Sequence, residues 1–164
     1  MTLLLMHPVM GHEPALVLAC AWPAEWWRGG VGLAYDAGAG PSGNFRYTVA
    51  EADTAVAVGS GEVSVLASPR VLALAERATV AAVAGALEAR ETTVGVRVEL
   101  EHLAPSVVGA ELEIAAVLER VAGWRLEFAV RLHDGGRLVA RGMVTRVVVD
   151  TAAFLPDAGA GAAR

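Results

Sequence analysis

The sequence predicts an α+β fold in which one long apolar helix packs against an antiparallel sheet. Residues 71–87 are almost wholly Ala, Val and Leu, and a helix this apolar must be enclosed by other structure over most of its circumference. Four segments of alternating apolar and polar residues follow, which is the pattern of strands with one buried face. The last two are joined by Asp134-Gly135-Gly136, a strong hairpin signal. One helix followed by a meander of strands is an α+β arrangement.

Local signals predict where the elements begin and end. Phe45, Tyr47 and Val49 alternate with polar residues and predict a first strand, while residues 60–66 are expected to be extended or looped. Ser68-Pro69-Arg70 is expected to begin the helix, because Ser is a favoured N-cap and Pro suits the first helical position. The later strands are predicted over residues 93–102, 111–121, 124–132 and 138–149.

The strand over residues 93–102 is predicted to carry one apolar face that ends in an imidazole. This face consists of Val94, Val96, Val98, Leu100 and His102. Gly95 has the opposite parity. A glycine inside a strand often marks a bulge or a close approach to another backbone or a ligand.

Composition divides the chain into three parts. Residues 1–44 hold three of the four tryptophans, scattered proline and a glycine-rich stretch without sustained periodicity, so they are predicted to be a poorly ordered extension. Residues 45–150 form the predicted domain, and residues 151–164 are predicted to be a flexible tail rich in Ala and Gly. One domain of this size is long enough to bury a single core.

Composition also argues against several classes of function. A net charge of −5 gives no basic patch of the kind that nucleic-acid binding uses. The single cysteine, Cys20, excludes an internal disulfide framework and most zinc patterns, and no cofactor motif is visible. No apolar run reaches the roughly 18 residues of a membrane helix, and no Lys or Arg precedes Arg28, although a secretory signal requires a basic segment at its start. We therefore expect a cytoplasmic protein with no metal, no cofactor, and no nucleic-acid or membrane partner.

Three polar residues interrupt the apolar pattern. Ser68 opens the helix, Glu76 shares a helical face with apolar residues, and His102 ends the inward face of a strand. Each has a structural alternative: a helix cap, an ion pair with Arg70 or another arginine, and a core imidazole bonded to a backbone carbonyl. A hydroxyl, a carboxylate and an imidazole are also the parts of a nucleophile or general-base device. Spacing in the sequence does not show that they meet.

A set of short motifs resembles the fluoroacetyl-CoA thioesterase-like family over about residues 45–150. The motifs agree with the family in order and spacing. They are residues 65–70 (VLASPR), Glu76, residues 93–95 (TVG), 101–105 (EHLAP), 108–109 (VG), 123–126 (GWRL), 133–135 (HDG) and 145–147 (TRV).

This resemblance implies a hot-dog fold, in which an antiparallel sheet wraps a long helix. It implies a homodimer or a dimer of dimers with active sites near the interface, and hydrolysis of an acyl-CoA thioester. The catalytic set corresponds to Ser68, Glu76 and His102, with Ser standing where the family has Thr. Gly95 and Arg146 match family positions near the bound substrate, and the resemblance implies that they are substrate-binding residues.

The resemblance also suggests a mechanism and a substrate class. Ser68 and the amides at the helix N-terminus would hold the thioester carbonyl and its oxyanion. Glu76 would act as nucleophile or as base for water, and His102 as proton shuttle. The family's fluoroacetyl-specific enzyme closes aromatic residues over its small acyl group, but residues 55–61 contain no aromatic side chain here. A broader short-chain acyl-CoA substrate is therefore expected.

Two other functions remain open at this stage. A hot-dog hydratase or dehydratase would use an Asp–His pair, and the only adjacent pair, His133-Asp134, falls in a predicted turn. A non-catalytic acyl-CoA-binding module would retain its ligand without turnover.

Overall fold

The computed structural model of the chain describes residues 16–19 and 40–160. The strands are β1 (Leu16–Ala19), β2 (Ser42–Thr48), β3 (Glu91–His102), β4 (Glu111–Ala122), β5 (Arg125–Asp134) and β6 (Arg137–Asp150). The helices are the short α1 (Ala55–Val58), the long α2 (Ser68–Val83) and α3 (Thr151–Ala160), with a single 3-10 turn at Glu51–Asp53. In this part of the chain, no helix is both long and apolar enough to cross a membrane.

The six strands form one antiparallel sheet in the order β1-β3-β6-β5-β4-β2. Helix α2 packs across one face of this sheet, and the main core lies between them. Val71, Leu74 and Ala78 are buried on the helix, and they meet Ile114 and Val130 from the sheet. The sequence prediction of an α+β arrangement is confirmed, and a smaller apolar cluster that includes Val96 and Val147 lies on the other face of the sheet.

A bulge in β3 changes which side chains face the helix. The pairing of β3 with β6 shifts register between Gly95 and Arg97, so the side chains on either side of the shift do not follow one alternation. Val98 belongs to the main core, whereas Val96 packs in a separate cluster with Val147. The prediction of one continuous face from Val94 to His102 is therefore wrong.

The same bulge turns Gly95 toward the helix. Gly95 lies opposite Arg146 in β6, and the next pair on that face is Thr93 opposite Val148. Val148 packs in one cluster with Val83 of α2, so this face of the sheet is the one that α2 covers. Gly95 and His102 thus lie on the same side of the sheet, although they have opposite parity in the sequence.

Both ends of the predicted domain carry further regular structure. Strand β1 falls within residues 1–44, which were expected to be a poorly ordered extension, and β2 begins at Ser42. Helix α3 falls within the expected tail, and its Phe154 packs on the outer cluster with Trp124. A four-residue strand is too short to show a period. Residues 1–15, 20–39 and 161–164 lie outside the described residues, so the three-part division stays a prediction.

Strand β2 approaches α2 at Gly43 more closely than a side chain would permit. A Cβ built on Gly43 would collide with the carbonyl oxygen of Ala78 and lie 2.6 Å from the amide nitrogen of Ala82. The colliding atoms are backbone and cannot turn away.

We expect Gly43→Ala to lower the free energy of unfolding by about 1–3 kcal/mol, because the strand must move off the helix to admit a methyl group. Gly85→Ala is the matched control, since a Cβ there meets nothing within 4 Å. Urea unfolding of the two variants and the parent gives the comparison. Equal stability of Gly43→Ala and Gly85→Ala would contradict the close approach.

Candidate active site

Ser68 is the first residue of α2 and lies beside His102. The N-cap is Ala67, which makes no side-chain cap, so the prediction that Ser68 caps the helix is wrong. Its Oγ lies 3.0 Å from Nδ1 of His102 at the end of β3 instead. The structure therefore brings together two of the three predicted catalytic residues, at the positive end of the helix dipole.

The imidazole of His102 is held in its neutral form near pH 7. Burial lowers the pKa of His102 below its ordinary value of 6.5, and the nearby backbone of Ala104 only partly opposes this effect. The second ring nitrogen, Nε2, is buried and makes no hydrogen bond of ordinary geometry within the described residues. A neutral imidazole with one nitrogen paired to a hydroxyl is able to accept or relay a proton.

Glu76 lies further along the same helix, away from the Ser68–His102 pair. Eight residues separate Ser68 from Glu76, which corresponds to about 12 Å along an α-helix. No glutamate side chain spans that distance to make a hydrogen bond. Instead, Oε1 of Glu76 accepts a hydrogen bond of 3.0 Å from Nη1 of Arg146. Its carboxylate is thus kept apart from the other two predicted catalytic residues of the same chain.

Arg146 is buried, and its contacts are with the protein. Only 6% of the residue is exposed. Nε donates to the hydroxyl of Thr93 at 2.9 Å and Nη2 to the Thr93 carbonyl at 2.8 Å, while Nη1 holds Glu76. Burial lowers the pKa of Arg146, and the charge of Glu76 opposes that shift. Because all three of its side-chain nitrogens are hydrogen-bonded to the protein, Arg146 orients the Glu76 carboxylate. The predicted contact of Arg146 with substrate stays a prediction.

Gly95 lies directly against the carboxylate of Glu76. A Cβ built on Gly95 would collide with Oε1 of Glu76 and would lie 3.6 Å from Nη1 of Arg146. The glycine is therefore required by the close approach of the carboxylate to the strand. The strand glycine indicated a bulge or a close approach to another backbone or a ligand; the bulge is present, and the close approach is instead to the Glu76 side chain.

Sequence reasoning missed a buried cluster that holds the start of α2. Asp53 is only 2% exposed, and its Oδ2 accepts hydrogen bonds from the Tyr47 hydroxyl at 2.7 Å and the Ala50 amide at 2.8 Å. Its Oδ1 lies 2.6 Å from Nε of Arg70, and Nη2 of Arg70 donates to the Tyr47 hydroxyl at 2.9 Å. The Asp53 carbonyl also accepts from the Ala67 amide at 2.9 Å. The residues flanking Ser68 are thus tied to one aspartate.

The Asp53 carboxylate depends on these partners for its charge. Burial alone would raise the pKa of Asp53, but the hydrogen bonds from Tyr47 and Ala50 and the charge of Arg70 together lower it. A carboxyl with a lowered pKa stabilises the fold above its ordinary value of 3.8 and loses that contribution as the pH falls through the folded-state pKa.

We expect Asp53→Asn to lower the free energy of unfolding at pH 7 by about 1–3 kcal/mol, because Tyr47, Arg70 and the Ala50 amide lose a charged acceptor that is itself buried. The difference from the parent should shrink as the pH falls below about 4, where the aspartate itself becomes protonated. Urea unfolding between pH 3 and pH 7 measures both. Glu113→Gln is the control, because its ion pair with Arg46 is exposed and should contribute about 0–1 kcal/mol. A pH-independent difference at Asp53 would contradict this assignment.

The chain is similar in sequence and structure to thioesterases. The family model described as fluoroacetyl-CoA-specific thioesterase matches residues 49–152. A solved mutant of the fluoroacetyl-CoA thioesterase, in complex with fluoroacetate, is 25% identical with a TM-score of 0.70, over 75% of this chain and 97% of that one. A hot-dog-like protein from Thermanaerovibrio acidaminovorans is 25% identical with a TM-score of 0.67, over 74% and 90% of the two chains.

A more distant structure shares the fold alone. A thioesterase superfamily member from Thermus thermophilus is 22% identical with a TM-score of 0.65, over 73% of this chain and 88% of that one. A search of curated proteins found no match to the chain. The structural matches confirm the predicted hot-dog fold.

Proposed function

Because the chain belongs to the fluoroacetyl-CoA-specific thioesterase family, we propose that it hydrolyses a short-chain acyl-CoA thioester to the free acid and CoA. The observation that carries this proposal is the Ser68–His102 pair at the N-terminus of α2. A helix N-terminus offers free amide groups and a positive field to the oxyanion that forms when a thioester carbonyl is attacked. Glu76, oriented by Arg146, supplies the carboxylate.

We further propose that the complete site forms between two copies of the chain. Within one chain, His102 ends β3, whereas Glu76 lies against Gly95, seven residues earlier in that strand and about 20 Å away along it. One edge of β3 pairs with β6, and the other pairs, among the described residues, with β1 alone, from Arg97 to Leu100. Antiparallel pairing of two β3 strands about a two-fold axis midway between Val98 and Glu99 would bring Gly95 of one chain opposite His102 of the partner subunit.

The arrangement of Ser68, His102 and the partner's Glu76 supports hydrolysis of a thioester by either of two routes. The Ser68 hydroxyl and the α2 amides hold the carbonyl oxygen. Glu76 from the partner takes a proton from water as the oxygen attacks the carbonyl carbon, or it attacks that carbon itself and forms an anhydride that water then cleaves. In the first route the carbon–sulfur bond breaks when the tetrahedral intermediate collapses, and His102 passes the proton that Glu76 took from water to the departing thiolate. In the second route the thiolate leaves as the anhydride forms, and it receives through His102 one proton of the water that cleaves the anhydride. Either way the products are the carboxylic acid and the CoA thiol.

The residues before Ser68 support a broad acyl specificity. They form the short helix α1, in which Val56 and Val58 are exposed. The amide of Ala55 donates to the Val65 carbonyl at 2.9 Å, which ties α1 to the segment leading into α2. Valine and alanine leave more space next to a small acyl group than aromatic side chains would.

We expect His102→Ala and Glu76→Ala to lower kcat/KM by about 100-fold or more, and Ser68→Ala to lower it less, because the helix amides still hold the oxyanion. Release of free thiol from acetyl-, propionyl- and butyryl-CoA measures this. His133→Ala is the matched control, since His133 lies at the β5–β6 hairpin beside Asp134, which pairs with Arg137. Unchanged hydrolysis by the His102→Ala variant would refute the proposed mechanism. Retention of ligand without thiol release would instead identify an acyl-CoA-binding module.

We also expect little preference for fluoroacetyl-CoA over acetyl-CoA, with propionyl- or butyryl-CoA hydrolysed at least as well. One methylene in an apolar pocket changes binding by only about 1–3 kcal/mol, and residues 55–61 carry no aromatic side chain that could fill the space. The measurement is kcat/KM for the four thioesters under one set of conditions. A preference for the fluorinated substrate above roughly a thousandfold, or about 4 kcal/mol, would refute the expectation.

A further inference from the structure

Strand β1 pairs with the edge of β3 that the proposed dimer requires. Its four residues lie opposite Arg97, Val98, Glu99 and Leu100, in antiparallel register from Ala19 to Leu16. The centre of this pairing falls between Val98 and Glu99. That point is also midway between Gly95 and His102, where the two-fold axis of the dimer would pass.

We propose that β1 is a detachable cap on the dimerisation edge of β3, and that it competes with a second copy of the chain. This inference rests on the proposed composite site. A strand edge presents one row of N–H and C=O groups, so the same four residues cannot pair with β1 and with the partner's β3 at once. Addition of a strand to a sheet edge is a recognised mode of protein association.

The two pairings of the β3 edge differ in length and in their dependence on protein concentration. Strand β1 covers four residues of β3, whereas the dimer would pair the eight residues from Gly95 to His102. The cap belongs to the same chain, so its binding does not depend on protein concentration, whereas dimerisation does. Dilution therefore favours the capped monomer and concentration favours the dimer.

The cap has a quantitative consequence for assembly. If β1 is paired in about nine of ten free chains, only about one chain in ten is competent to dimerise. Because both chains must release β1, the apparent dissociation constant of the dimer rises about a hundredfold. A capped chain also holds Ser68 and His102 apart from any Glu76, so the same equilibrium governs hydrolysis.

The full-length chain carrying Val17→Pro and Leu18→Pro tests this directly, because proline removes an N–H and disrupts strand pairing. Val17→Ala with Leu18→Ala is the matched control, since alanine changes the same side chains but keeps both N–H groups. Sedimentation velocity over a concentration series gives the dimer dissociation constant. We expect this constant to be at least tenfold lower for the proline variant than for the alanine variant, with a matching gain in thiol release per chain at low concentration.

A reversible lock tests the opposite direction. Val17 and Glu99 are register partners, so Val17→Cys with Glu99→Cys lies at the right separation for a cross-strand disulfide. Cys20→Ser removes the natural cysteine in the same chain. The oxidised protein should stay monomeric and release little thiol, and reduction should restore both dimer and activity.

The outcomes separate the cap from the catalytic proposal. Equal dissociation constants for the proline and alanine variants, or an active dimer in the locked protein, would overturn the cap while leaving thioester hydrolysis intact. A shift in the dissociation constant without hydrolysis by any variant would support the cap and refute the proposed function.

Discussion

The fixed rise per residue of an α-helix sets the distance between Ser68 and Glu76 in the candidate site. Ser68 and Glu76 stand on the same helix, eight residues apart, and α2 continues unbroken between them. Helical geometry therefore separates their backbones by about 12 Å, whatever the side chains do. Strand β3 runs antiparallel to the helix beneath it and keeps His102 with Ser68 at one end and Gly95 with Glu76 further along. A single chain thus carries two half-sites, and any chemistry that uses all three residues needs a second copy.

Each half-site is held by buried polar contacts rather than by apolar packing alone. Arg146 uses Thr93 as an anchor and orients Glu76, so the carboxylate is fixed at the price of one desolvated guanidinium. At the other end, Asp53 binds the backbone before Ser68 and the side chain of Arg70 after it. Such networks fix geometry because a half-satisfied partner would be costly to bury.

The regular elements could be predicted because the side-chain period of a strand is two. The alternation located β4, β5 and β6 to within about two residues, and Pro69 marked the start of α2. Gly95 indicated either a bulge or a close approach and did not fix which side chains face the helix, because a glycine permits a register shift but does not require one. Ser68 was expected to cap the helix, and its hydroxyl instead pairs with an imidazole 34 residues away in the sequence.

The site residues also divide into those that the sequence predicts and those that it does not. Ser68, Glu76 and His102 were recognisable as polar interruptions of an apolar pattern and by their family motifs. Asp53 was not, and Thr93 was noted only as part of a family motif, because their partners are Tyr47, Arg70 and Arg146, which come from other elements, and no periodicity connects them. Strand β1 was missed because four residues show no period, and its pairing with β3 is a tertiary contact.

The central claim, that each site draws Ser68 and His102 from one chain and Glu76 from the other, has a direct test. His102→Ala and Glu76→Ala chains carrying different affinity tags are co-expressed, and the heterodimer is purified through both tags. A composite site predicts about half of the parent's thiol-release rate, because one of the two symmetric sites then contains every group and the other lacks two. Each variant homodimer should be nearly inactive. A heterodimer as inactive as the two homodimers would contradict the account, because it would show that Ser68, Glu76 and His102 act together within one chain.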